Sequence, residues 1–372
     1  MVLNPEDDAP RVCFQRGRTM KPVPPTVTAS AEALPAGSTR SGRALARPGV
    51  AWGVLALCLL ATTVGWRISL SQEKERARER FDLHVERLKQ GIRDRILSCE
   101  QVLKGAAGLF AAGQSVQRHQ WHDYVATLDL ETRYPGIHAL GFAAYVSEAE
   151  RQRFLATTRL DGAPEFAIQP PGLRSSYYVV KYVEPVLGNS SVLGWDMATE
   201  SRRREAADVA RDTGEAVLTR KIKLVQSAEE LPAALLLLPI YRHGQRAVTM
   251  EERRAALQGW VCAAFVLEDL MAGLLENRNP EIDCEIFDDT KIGLPNLLYD
   301  ADGDLHAITA EPCTFKKTAP LDLARRTWTL SFSTRPAFDA ARDYTETRLL
   351  VFGGMCISLL LFGITRSLAS TR

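Results

Sequence analysis

The chain lacks a surplus of charge. Its 46 Lys and Arg meet 45 Asp and Glu, a formal net charge of +1 over 372 residues. A phosphate-neutralising surface needs a basic excess, so a nucleic-acid partner is not expected. None of the seven cysteines forms a Cys-x-x-Cys pair, which removes the usual zinc and dithiol motifs. No phosphate loop, kinase signature or Ser-His-Asp arrangement stands out, so no cofactor, metal or intrinsic enzyme activity is expected. Two stretches lack charge altogether: Val50 to Trp66 (VAWGVLALCLLATTVGW) and Leu349 to Thr365 (LLVFGGMCISLLLFGIT).

Those two runs organise everything else. A helix of about 17 residues is roughly 25 Å long, and Pro48 and Gly49 extend the first run toward the ~30 Å of a hydrocarbon core. The roughly 280 residues between the runs have ordinary globular composition. The first run follows a 47-residue stretch and lacks a good cleavage site, so it reads as an anchor rather than a signal peptide. Before it lie Arg11, Arg16, Arg18, Lys21, Arg40, Arg43 and Arg47, against Glu6, Asp7, Asp8 and Glu32. That basic excess predicts cytoplasmic termini and a central region on the other side of the membrane. Pro22, Pro24, Pro25 and Pro35 mark residues 1–47 as a disordered tail, with Met1 or Met20 as the start.

Phe81, Val85, Leu88, Ile92, Ile96, Cys99, Leu103, Ala106 and Phe110 recur at steps of three and four. They predict a long stalk helix whose stripe packs on its own domain or pairs with a second subunit. Strands are predicted over 138–146, 177–185, 216–225, 235–241 and 260–266, with helices over 148–160, 201–212 and 267–276. Gly214 reads as the stop of the second helix. Further strands are expected over 283–288, 296–299, 306–309 and 326–334, with a hairpin turn at Asp302-Gly303. The class is α+β, with two antiparallel-sheet lobes dividing near 276–281. Cys284 and Cys313 are either bridged or separate buried thiols. His119 and His122 share a helical face, but with only Asp123 beside them they offer too few ligands for a structural metal site, and the histidines read as solvated or core residues.

A series of short pieces then carries a resemblance. Pro135-Gly136-Ile137 with Gly141-Phe142 is followed by Tyr182-Val183-Glu184-Pro185 and Asn189. After these come Leu193-Gly194-Trp195-Asp196, Ala210-Arg211-Asp212-Thr213-Gly214, Leu224-Val225-Gln226, Leu238-Pro239-Ile240-Tyr241-Arg242 and Gly259-Trp260-Val261. Their order over roughly Gln114 to Met271 resembles the CHASE domain, the extracytoplasmic sensor of bacterial receptors and of plant cytokinin receptors. The resemblance implies a long helix beside two PAS-like lobes, a small ligand in the membrane-distal lobe, and an output carried by a histidine kinase or nucleotide cyclase domain. Only RSLASTR follows Thr365 here.

On that reading residues 1–47 are the tail, 48–67 the first span and 68–113 the stalk. Residues 114–276 are the distal lobe, 277–347 the proximal lobe, 348–366 the second span and 367–372 a stub. Ligand-contact candidates are Tyr178, Tyr182 and Glu184, which a period of two puts on one strand face, and Thr219 and Lys221, with Lys223, on another. Trp195 and Arg174 join them. Plant receptors of the family place an Asp just ahead of the central strand, against adenine; Leu173 to Tyr177 holds no acid, and Arg174 suits an anion instead. Asp196, Arg211 and Gly214 read as architectural: Asp196 accepts backbone N–H groups, and Arg211 is placed to pair with it. The expected function is small-molecule sensing at a bacterial inner membrane, with the lipid bilayer and a homodimer or signalling-protein partner. The alternatives are a non-catalytic partner of a separate kinase and a receptor lacking its output domain.

Overall fold

The computed structural model describes residues 48–113, 115–225, 231–274, 281–309, 312–341 and 344–370. The predicted tail, Gln114, Gln226 and most of the predicted lobe boundary lie outside the described residues.

Helix α1 (Pro48–Ala112) runs unbroken through the first apolar stretch and the predicted stalk. At 1.5 Å per residue it is about 98 Å long. The last long helix, α9 (Thr345–Ser370), holds the second apolar stretch. Both are long and apolar enough to cross a membrane, and side chains such as Leu57, Leu60, Leu349 and Phe352 are exposed. The chain divides into two compact units, Leu59–Met355 and the remainder. In the remainder, Trp52 and Phe362 rings lie 5.1 Å apart. In the larger unit, Ser69 Oγ and Thr347 Oγ1 are hydrogen-bonded at 2.8 Å, and Gly354 faces Thr62 so closely that a Cβ there would meet its side chain at 2.6 Å. Small residues let two apolar helices approach in this way.

The first lobe begins with α2 (Arg118–Leu128) and one turn, α3 (Leu130–Arg133). Then come β1 (Ile137–Ser147), α4 (Arg151–Leu160), β2 (Ser176–Glu184), α5 (Ser201–Thr213), β3 (Val217–Leu218), β4 (Ile222–Lys223), β5 (Pro232–Tyr241), α6 (Met250–Ala256), β6 (Leu257–Val266) and α7 (Leu267–Met271). The sheet is antiparallel in the order β2-β1-β6-β5-β3, with β4 also on β5. The second lobe holds β7 (Ile282–Asp288), β8 (Leu297–Asp300), β9 (Lys316–Leu323), β10 (Arg326–Thr334) and α8 (Pro336–Ala340), in the order β8-β7-β10-β9.

The α1 stripe packs on its own chain. Phe81 stacks on Phe315 at 5.8 Å in the second lobe, and Phe110 lies 4.3 Å from Phe142 in the first. All nine stripe residues are buried in one continuous core. The lobes also touch directly: Leu218 N–H donates to Ala324 O, and Lys221 N–H to Asp288 Oδ2 at 2.8 Å.

Several expectations change. The predicted strand 216–225 is two short pieces, because Thr219 spends its hydroxyl on Leu235 N–H and the chain turns outward toward Asp288. Residues 306–309 form turns rather than a strand, and Asp300 Oδ1 accepts Asp302 and Gly303 N–H ahead of them. The described part of 267–276 is helical only to Met271. Strand β9 and helix α6 were not anticipated. Among the described residues Cys284 and Cys313 are not bridged to each other.

Candidate functional site

One face of the first sheet packs on α1 and α2; the other packs on α5. Burial on α5 falls on Arg203, Ala206, Ala207 and Ala210, an i, i+3, i+4, i+7 stripe. Glu200 caps the helix by accepting Arg202 and Arg203 N–H at 3.1 and 3.0 Å. Gly214 ends it at φ +78°, with its N–H on Ala210 O.

A cavity of about 50 Å³ lies on the α5 face. Since about 10–15 Å³ on this scale admits one water, it has room for a few heavy atoms. Val180, Val183, Leu235 and Ala264 make it apolar, with Trp195, Met197 and Cys262. Burial pushes the Cys262 thiol up to about 12, so it lines the cavity as a neutral group. The charge in the wall is Arg203, which is 5% exposed. Its Nη2 donates to Lys223 O at 2.6 Å, while its Nε has no hydrogen-bond partner among the described residues. Burial lowers its pKa from the ordinary guanidinium value, with Glu200 opposing. Trp195 Nε1 is also buried without a hydrogen-bond partner among the described residues. Two unsatisfied donors in one apolar wall are suited to a ligand acceptor.

The candidates from sequence do not share this cavity. Lys181 is an extra residue opposite β1, since Tyr182 pairs with Phe142 but Val180 with Ala143. This bulge reverses the alternation. Tyr178, Val180 and Val183 therefore face α5, whereas Tyr182 faces α1 and α2. The expectation of one shared face for Tyr178, Tyr182 and Glu184 is corrected accordingly. Tyr178 Oη donates to Asp208 at 2.6 Å and its ring packs on Trp260. Tyr182 Oη donates to Val116 O and Asp161 Oδ2, and burial and Asp161 raise its pKa well above the ordinary phenol. Glu184 lies 3.0 Å from His122 Nδ1, and both His119 and His122 are exposed. These groups line a second, open cleft of about 1030 Å³ with Arg118, Arg153, Asp161 and Lys181. Thr219 is buried against β5, Lys221 lies at the lobe contact, and Lys223 is exposed.

Asp196 is fully buried and accepts Tyr178 N–H at 2.8 Å and Ala198 N–H at 3.1 Å, as expected of a cap. Its cation is not Arg211. Arg174 Nη1 lies 3.6 Å from Asp196 Oδ2, whereas Arg211 pairs with Asp208 and Asp212 at the far end of α5. Arg174 is thus held by the fold. Asp212 also meets Arg254 at 2.6 Å, and bonds from Arg254 and Arg211 hold it far below the ordinary carboxyl range.

The chain is similar in part to several known proteins. The sequence model of the CHASE domain matches residues 114–299, reaching past the expected Met271 into β8. "Hybrid signal transduction histidine kinase A" of Dictyostelium discoideum is 22% identical over 138 residues, 35% of this chain and 6% of that protein. "Probable histidine kinase 4" of Oryza sativa subsp. japonica is 28% identical over 170 residues, 44% and 16% respectively. The chain thus spans a small part of the length of these relatives. The periplasmic sensory domain of the Campylobacter jejuni chemoreceptor Tlp1 superposes with a TM-score of 0.46 at 8% identity, over 71% of this chain and 95% of that one. The matched region takes in half of the 372 residues, and the chain belongs to the CHASE domain family.

Proposed function

We propose that this chain senses a small anion, a short carboxylic acid, outside the cytoplasm and conveys its binding through α1 and α9. The carrying observation is Arg203, a buried guanidinium with an unpartnered Nε in an apolar cavity, beside the unpartnered Trp195 indole. Arg is suited to such a task because its fork matches a carboxylate and it stays charged when buried. The first lobe, 114–276, is the membrane-distal ligand lobe on this reading, and 277–347 is the proximal one. Tyr178, on the same sheet face, positions the wall; Tyr182, Glu184, Thr219 and Lys221 serve packing and the lobe contact.

The bonds support one route for the signal. Arg202 and Arg203 donate to Lys221 O and Lys223 O; Lys221 N–H donates to Asp288; Asp288 pairs with Arg326 on β10, the strand ahead of α8 and α9. A ligand that draws Arg203 toward the cavity loads this chain of contacts. It shifts the receptor only by its differential affinity for the two arrangements.

A thermal-shift screen of the full chain in nanodiscs, with short mono- and dicarboxylates and their amides, tests the reading. A carboxylate at about 100 times its Kd raises stability by about 2.7 kcal/mol, and its amide does not. No shift from any carboxylate, or equal shifts from acids and amides, sinks the anion reading. The two-span topology is tested separately by a reporter fused behind Arg372, which is expected on the cytoplasmic side.

A further inference from the structure

The second lobe holds a constellation that the ligand cavity does not use. Asp283 on β7 is fully buried. From the loop after β8, Asp302 and His306 converge on it: one ligand atom from each of the three residues lies within 4.8 Å of the others. Both loop side chains are only 20% exposed. Asp302 Oδ2 is 3.2 Å from His306 Nε2. Asp283 Oδ2 is buried with no hydrogen-bond partner among the described residues.

The loop is pre-set. Glu285, also fully buried, accepts Ala307 N–H on both oxygens, and Lys316 Nζ donates to His306 O at 2.6 Å. A cation already touches the pair: Arg335 Nη2 lies 2.6 Å from Asp302 Oδ2 and 3.3 Å from Asp283 Oδ1. It leaves the second Asp283 oxygen unsatisfied. Burial, with Asp302 and Glu285 nearby, pushes the Asp283 carboxyl up to about 7 despite Arg335.

We propose that Asp283, Asp302 and His306 bind a divalent first-row transition-metal ion, which displaces Arg335 from the two carboxylates. One imidazole and two carboxylates are a borderline donor set, suited to Zn²⁺ or Mn²⁺ rather than to Ca²⁺, which takes oxygen ligands alone. Three protein ligands leave a fourth position for water. The consequence reaches the second apolar helix. Arg335 is the residue before α8, and its N–H is bonded to Glu281 O. Release of its side chain frees the segment that leads into α9.

The test is calorimetric titration of the untagged full chain in nanodiscs with Zn²⁺, Mn²⁺ and Ca²⁺ at fixed pH. One Zn²⁺ site is expected. Its Kd rises at least about tenfold in His306→Gln and in Asp302→Asn. It falls in Arg335→Gln, where the competing guanidinium is gone. It is unchanged in His122→Gln, which removes a histidine–carboxylate pair of the first lobe. His306 and Arg335 are partly exposed, so their variants keep the fold, checked by circular dichroism. Absence of Zn²⁺ binding by the folded chain overturns the proposal. So does binding that survives His306→Gln, binding lost in His122→Gln, or binding of Ca²⁺ in preference to Zn²⁺.

Discussion

The two lobes bury charge in opposite ways. The first sets one cation, Arg203, into an apolar wall and meets its buried carboxylate, Asp196, with two backbone N–H groups on Oδ1 and with Arg174 3.6 Å from Oδ2, an oxygen that has no hydrogen-bond partner among the described residues. The second gathers two carboxylates, Asp283 and Asp302, around Arg335, and likewise leaves Asp283 Oδ2 without a hydrogen-bond partner among the described residues. Both sheets are antiparallel and both pack on α1, so the difference lies in the side chains that each sheet offers to its loops. On the readings proposed above, one lobe receives an anion and the other a cation.

The contrast breaks most readily at Asp196. Asp196→Ala removes the acceptor for Tyr178 and Ala198 N–H and strands Arg174, so the chain should lose about 3 kcal/mol in urea unfolding. A loss within ~0.5 kcal/mol would show that the first lobe does not depend on satisfying that charge. Arg203→Leu sharpens the contrast, since it replaces the buried charge with an apolar side chain of similar volume. Stability should change by less than about 1.5 kcal/mol, while carboxylate affinity drops at least about tenfold.

Acidity separates the lobes next. Asp283 is an acid whose folded pKa is raised, to about 7, above its unfolded value of about 3.9. The folded state therefore holds the extra proton between those values, and this group's contribution to stability falls as pH rises from about 4 to about 7, then levels. Asp212 in the first lobe is depressed instead, so its contribution is present above about 3.9 and is lost as pH falls below that. Chemical unfolding from pH 4 to 8 should show a downward slope that Asp283→Asn flattens; an unchanged slope would assign it to other groups. The smallest effect belongs to Arg254→Gln. It removes a half-exposed partner of Asp212, and the urea midpoint should move least of the four variants.

Much of the fold was legible before the structure because its signals are local. The α1 stripe, the LLLLPIY run of β5 and the Gly214 stop each act within a few residues. Helix α6 carries a cap that is readable in the sequence: Thr249 Oγ1 accepts Glu252 N–H, and Glu252 reaches back to Thr249 N–H. Strand β9, with Pro320 and alternating exposure, sends only an edge-strand signal. The site was less legible. The bulge at Lys181 comes from pairing with β1, a partner more than thirty residues away, and nothing within β2 announces it. Arg203 sits in a Ser-Arg-Arg-Arg-Glu run that looks solvated, and only its spacing to Ala206, Ala207 and Ala210 marks it as buried. Asp302-Gly303 read as a simple turn because its partner, Asp283, arrives from another strand.

The most direct measurement is calorimetric titration of a short carboxylate into the full chain and into Arg203→Leu, side by side in nanodiscs. The account predicts one-to-one binding to the parent chain and at least about tenfold weaker binding to a variant that folds as well. Equal affinities for the two would contradict it.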